Sequence, residues 1–206
     1  MVNQIVIIDY GMGNIHSIKK KLNALKAPVI VSSDPTDIRT SSKIILPGVG
    51  HFGKAMESLK ALGLIDILNE EVLLKKKPIL GICLGMQLMA EKSEEGDVNG
   101  LGWVNAEVIR FDVKDTLAYK VPHMGWNQVL ISKRSDLMKN IPDLSEFYFV
   151  HAYHLKAEDK TIILNETDYE YRFVSAIEKE NIFGVQYHPE KSHDVGELLL
   201  KNFIDL

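Results

Sequence analysis

The sequence is poorest in cysteine, with a single one, Cys83, among 206 residues. One cysteine excludes an internal disulfide and cannot build a thiolate zinc site, so no metal is expected; it fits a reducing cytoplasm. Long apolar runs are missing too. Stretches such as Ile5–Ile8 fall far short of the roughly 20 residues that cross a bilayer. The start, Met1-Val2-Asn3-Gln4, has no cationic lead and no small-residue cleavage site, so no signal peptide is expected. Charge of one sign is also scarce. A formal net charge of −4 provides neither a basic groove for nucleic acid nor a polybasic membrane anchor. With no repeat, low-complexity tract or Pro/Ser-rich linker, residues 1–206 read as one well-packed domain.

What is present is an alternation. Short β-branched runs at 4–9, 28–32, 43–46 and 78–82 read as strands. Helical patterns at 15–26, 52–62, 64–75 and 84–91 lie between and after them. This order predicts an α/β fold, a mixed and mainly parallel sheet flanked by helices. The second half is richer in strands, at 104–111, 126–131, 147–155, 161–165, 171–178 and 182–187. Lys179-Glu180-Asn181 is expected to join the last two as a hairpin, and a final helix to cover 196–204.

Two glycine turns imitate nucleotide loops and fail. Gly48-Val49-Gly50-His51-Phe52-Gly53-Lys54 fits G-x-x-x-x-G-K, but Ala55 follows where a magnesium-binding hydroxyl is needed. Gly11-Met12-Gly13 begins like a dinucleotide fingerprint, and His16 then occupies the third glycine position.

Gly81-Ile82-Cys83-Leu84-Gly85 lies between a predicted strand and a predicted helix. A lone cysteine is ordinarily a small buried hydrophobe. A nucleophile on a sharp strand-to-helix turn, however, needs small residues two positions to either side, and Gly81 and Gly85 supply them. The helix start favours a charged sulfur, and the Leu84 N–H is placed to donate to an oxyanion. Of seven histidines, His188 stands at the end of an apolar strand, where α/β enzymes place their chemistry. Pro189 keeps the segment extended, so Glu190 falls on the same side as His188 and can orient its imidazole. Cys83, His188 and Glu190 make a complete triad of nucleophile, base and orienter.

The segments Gly-Ile-Cys-Leu-Gly-Met-Gln (81–87) and Gly-Val-Gln-Tyr-His-Pro-Glu (184–190) resemble the triad-type, or class I, glutamine amidotransferases. Four more resemble, within that family, the amidotransferase subunits of imidazole glycerol phosphate synthases. They are Asp-Tyr-Gly-Met-Gly-Asn (9–14), Leu-Pro-Gly-Val-Gly-His-Phe (46–52), Pro-His-Met-Gly-Trp-Asn (122–127) and Tyr-Phe-Val-His-Ala-Tyr (148–153). Ala152 stands where serine is usual, and Tyr187 where phenylalanine is common. The resemblance implies a cytoplasmic glutaminase without cofactor, in which Cys83 attacks L-glutamine, His188 moves protons and Glu190 orients it. It implies an oxyanion hole from Leu84 and from Gly48, Val49 or Gly50, and a contact from Gln87 to glutamine. It also implies a (βα)₈-barrel cyclase partner, a heterodimer, against which Met124, Trp126 and Asn14 lie. The partner would use the ammonia to form imidazole glycerol phosphate and an aminoimidazole carboxamide ribotide in histidine synthesis. Amidation of a sugar by the same chemistry, a noncatalytic binding subunit and a free-standing cysteine hydrolase are the rival expectations.

Overall fold

The computed structural model describes residues 4–206; residues 1–3, at the start read as lacking a signal peptide, lie outside the described residues. The first half runs β1 (Ile5–Ile8), α1 (Ile15–Ala24), β2 (Val29–Ser32), α2 (Pro35–Thr40), β3 (Lys43–Leu46), α3 (Phe52–Ala61), α4 (Leu64–Asn69), β4 (Ile79–Ile82) and α5 (Leu84–Gln87). There follow β5 (Lys92–Ser93), β6 (Val98–Asn99), β7 (Ala106–Arg110), β8 (His123–Gln128) and β9 (Leu130–Ile131). The chain then gives β10 (Glu146–His151), β11 (Tyr153–Ala157), β12 (Ile163–Tyr169), β13 (Tyr171–Lys179), β14 (Ile182–Val185) and α6 (His193–Asp205).

β2, β1, β3, β4 and β14 lie side by side in that order, each pair parallel. β13 meets β14 antiparallel through the expected hairpin, and β11, β7, β5 and β6 carry the sheet outward. Residues two apart on a strand share a face, so each central strand feeds both sides of the sheet. Val6, Ile8, Ile44 and Leu46 pack with Phe52, Leu59, Leu64 and Leu68 of α3 and α4. Ile5, Ile7, Ile45, Leu80 and Ile82 pack with Ile18 and Leu22 of α1 and Leu199, Leu200 and Phe203 of α6. A sheet apolar on both faces requires helices on both, and this one has them.

Three expectations need correcting. The helix expected over 84–91 ends at Gln87. The backbone N–H groups of Gly100, Leu101, Gly102 and Trp103 reach back to the carbonyls of Glu91, Leu88, Ala90 and Met89. Carbonyls satisfied by a returning loop have no need of another helical turn. The single strand expected over 147–155 divides at Ala152, because β10 pairs with β8 in a small antiparallel sheet while β11 joins the large one. The strand expected over 126–131 likewise divides into β8 and β9, since β9 pairs with β12. The α2 helix was not anticipated, although Asp34 accepts from the Thr36 N–H at 2.6 Å and Pro35 opens the first turn.

Candidate active site

Parallel strands end on one edge, and here β1, β3, β4 and β14 deliver Tyr10, Pro47, Cys83 and Gln186 to it. Such carboxyl ends are where open α/β sheets bind ligands. Cys83 sits at φ 54°, ψ −111°, a left-handed conformation that a non-glycine residue adopts only when its surroundings enforce it. Its N–H donates to Val185 O at 2.8 Å, and its carbonyl accepts from the N–H groups of Met86 and Gln87. A Cβ on Gly85 would stand 1.8 Å from Leu46 O, so only glycine lets the turn press against β3.

His188 is 1% exposed, and its Nδ1 lies 2.8 Å from Glu190 Oε1. Glu190 reaches it differently from the sequence expectation. Residues Pro189–Lys191 form a 3₁₀ turn instead of an extended segment, and that turn brings the carboxylate back under the ring. With Nδ1 as donor to the carboxylate, the buried Nε2 is the ring nitrogen left for Cys83. Burial works to lower the His188 pKa, but the Cys83 charge and hydrogen bond, then those of Glu190, outweigh it and raise the value to about 10. Asn14 does not cap α1 with its side chain; its amide donates to Glu190 Oε1 at 3.3 Å.

Behind the sulfur lies a chain of amides. Gln87 Nε2 donates to Tyr153 O and to Gln186 Oε1, both at 2.9 Å. Gln186 Nε2 in turn donates to Cys83 Sγ at 3.5 Å. Tyr10 OH donates to Pro47 O at 2.6 Å, which fixes the start of the glycine strand. Burial, with the Cys83 charge added, pushes the Tyr10 hydroxyl well up, so it remains protonated and a donor. Beyond it Val49 is 40% exposed and Gly50 has φ 109°.

A cavity of about 390 Å³ opens on Cys83, lined among others by Val49, Gly50, Leu84, Gln87, Glu95 and Tyr153. A wider groove of about 930 Å³ at Ile131–Lys139 does not include Cys83 in its lining, whereas the smaller cavity does. Glu95 was not singled out in the sequence. Its Oε2 accepts from the Phe52 N–H at 2.7 Å, and it is the carboxylate that lines the cavity. Met124 and Trp126 are 63% and 44% exposed on β8, whose partner strand β10 carries Val150 and His151 of the cavity wall.

Comparison with known proteins agrees with this geometry. The model for "Glutamine amidotransferase class-I" matches residues 6–206. The imidazole glycerol phosphate synthase subunit HisH 2 of Methanococcus maripaludis is 51% identical, covering 97% of this chain and 98% of that relative. The subunit of the same name from Pseudomonas aeruginosa is 45% identical, over 98% of this chain and 99% of its own. Among solved structures, PurLQS from Thermotoga maritima superposes with a TM-score of 0.73 at 15% identity, covering 100% of this chain and 99% of the other. A glutamine amidotransferase from the same organism gives 0.65 at 17% identity, covering 100% and 84%; both show a shared fold. Matched by the family model along nearly its whole length, and close to these HisH subunits throughout, the chain belongs to the class-I glutamine amidotransferases.

Proposed function

We propose that the chain is the glutaminase subunit of an imidazole glycerol phosphate synthase, with Cys83 as nucleophile. The carrying observation is the buried His188–Glu190 pair, coupled to a Cys83 that lines the cavity. In this reading the sulfur attacks the glutamine carboxamide carbon, and the carbonyl electron pair moves to oxygen. The Leu84 N–H and an N–H from the Gly48-Val49-Gly50 strand hold that charge; one such donor is typically worth about 10² to 10³ in rate. His188 gives its Nε2 proton to the amide nitrogen, the C–N bond breaks and ammonia leaves. Water then loses a proton to His188, attacks the thioester carbon, and the electron pair of the C–S bond returns to sulfur. Glutamine and water have become glutamate and ammonia.

Glu95 suits the α-ammonium group of glutamine, being a carboxylate on the cavity wall. Gln87 has both amide hydrogens engaged, so it meets the substrate through Oε1 alone. The exposed Met124 and Trp126 form the docking face for a (βα)₈-barrel cyclase that receives the ammonia. Aromatic and methionine side chains exposed together suit an interface. Trp126 lies flat on His193, with centroids 4.8 Å apart, and is held ready to be covered.

The test is glutamate release by the chain mixed with a cyclase subunit and its nucleotide. Cys83→Ala is expected to abolish release while partner binding persists, and free ammonia should still drive the partner's own reaction. Glutamate release retained by Cys83→Ala would defeat the reading.

A further inference from the structure

The amide chain behind Cys83 has a direction that its anchor dictates. Tyr153 O is a backbone carbonyl and can only accept, so the end of Gln87 facing it must be the NH₂ group. That group's other neighbour, in Gln186, must then be the carbonyl oxygen, which turns the Gln186 NH₂ toward the sulfur. Gln186 is fully buried, and its backbone N–H is held by Ser175 O, so it has no room to turn away. A neutral thiol is a weak acceptor, whereas a charged sulfur takes a strong hydrogen bond from an amide.

We propose that Gln186 is a further catalytic residue, whose amide N–H stabilises the charged sulfur of Cys83 both before attack and as the thioester breaks. The proposal rests on Cys83 being the nucleophile. In each half-reaction the sulfur carries an electron pair unshared with carbon, and the donor 3.5 Å away meets it without moving. Gln87 and Tyr153 both line the cavity, so the same chain ties the cavity wall to the electronics of the sulfur.

Gln186→Met fills a similar volume and has no donor. In the full chain bound to its cyclase partner, this variant should lose about 10- to 100-fold in kcat, the span expected for a hydrogen bond to a charged group, with KM changed far less. In the chain alone, the acid limb of the pH profile for Cys83 alkylation by iodoacetamide should move up by about one to two pH units. A profile and a kcat that coincide with the unsubstituted chain would overturn the proposal. A second measurement needs no variant: with ¹⁵N-labelled glutamine side chains, one Gln186 amide proton should shift across the same pH range and again on alkylation. An amide resonance indifferent to both would also overturn it. Alkylation of Cys83 that leaves glutaminase activity intact would instead strike at the nucleophile itself, a distinct failure.

Discussion

Glu190 grips His188 through Nδ1 and leaves Nε2 for the sulfur, so in the proposed mechanism the three side chains act as one unit. His188→Asn is therefore expected to lower kcat by about 10⁴-fold or more, and Glu190→Gln by less, since orientation is secondary to proton transfer. The double variant should be little worse than His188→Asn alone; multiplicative losses measured in the same glutamate assay would show the two residues acting separately. Glu95→Gln keeps an acceptor for the Phe52 N–H and removes the charge proposed to meet the substrate ammonium. Its KM for glutamine should rise about 10- to 100-fold with kcat nearly unchanged, because a charge-assisted hydrogen bond is lost equally from ground and transition states. An unchanged KM would remove Glu95 from the binding role. Cys83, His188 and Glu190 are legible in the sequence because local turns place them. Gln186 and Glu95 are not. Gln186 meets Gln87 across 99 positions, and Glu95 joins the cavity by the loop that follows β5; only packing brings them in.

The strands of the parallel sheet follow from β-branched runs, and these stand within two residues of expectation. Where the chain serves two neighbours the pattern misleads: residues 147–155 look like one apolar strand, yet β10 and β11 belong to different sheets. The helical pattern over 64–75 conceals another change. α4 passes at Glu70–Leu74 into a π-helical turn, closed by Lys75 N–H to Glu70 O at 3.0 Å. Inside it, Glu71 is 1% exposed and pairs with Lys75 and Lys77, each at 2.7 Å. Burial works to raise the Glu71 pKa, but hydrogen bonds from the two lysines overcome it, so the carboxyl is held below its usual range. Lys77 also donates to Arg39 O, tying the end of α2 to the turn that delivers β4. Glu71→Leu is expected to cost about 2 kcal/mol by leaving the half-buried Lys77 without its counter-charge, though still bonded to backbone carbonyls. Urea unfolding of the variant, read by far-UV circular dichroism, measures this; a loss below about 1 kcal/mol would mean the pair is dispensable to the element.

Across the whole molecule, the small sheet of β8 and β10 joins the cavity to the exposed Met124 and Trp126, and a set of buried histidines holds it in place. Asn127 lies 3.3 Å from His123 Nε2, His123 Nδ1 lies 3.1 Å from His151 Nε2, and His151 Nδ1 lies 2.8 Å from Tyr153 O. A carbonyl at the end of this series fixes each tautomer, and both rings are neutral. Burial lowers the His123 pKa to about 4 and holds His151 well below its usual value, with His123, His154 and His188 opposing a further charge there. His154, packed on Phe111 and bonded to Tyr171 OH at 2.9 Å, is lowered by burial as well. The unfolded chain takes up these protons from about pH 6.5 downward and the folded chain does not. Their stabilisation is therefore complete above pH 6.5 and erodes as pH falls toward 4, by about 1.4 kcal/mol per pH unit for each histidine. His188, raised to about 10, is already protonated in the folded chain, so the proton it releases on unfolding opposes this slope only near pH 6.5 and fades by about pH 5.5. Carboxylates whose pKa is lowered, such as Glu70 and Glu71, begin to contribute only as pH drops below about 4.5. Between pH 6.5 and 4.5 the histidines thus act almost alone. Urea unfolding over this window should show stability falling with an uptake of more than one proton, and His123→Gln should reduce that uptake by about one. Because His151 lines the cavity, glutaminase activity should decline over the same window as the β8–β10 sheet loosens. Stability that stays level from pH 6.5 to 4.5, or an identical slope in the His123→Gln variant, would show that the histidines titrate freely and do not hold the cavity wall to the strand of Met124 and Trp126.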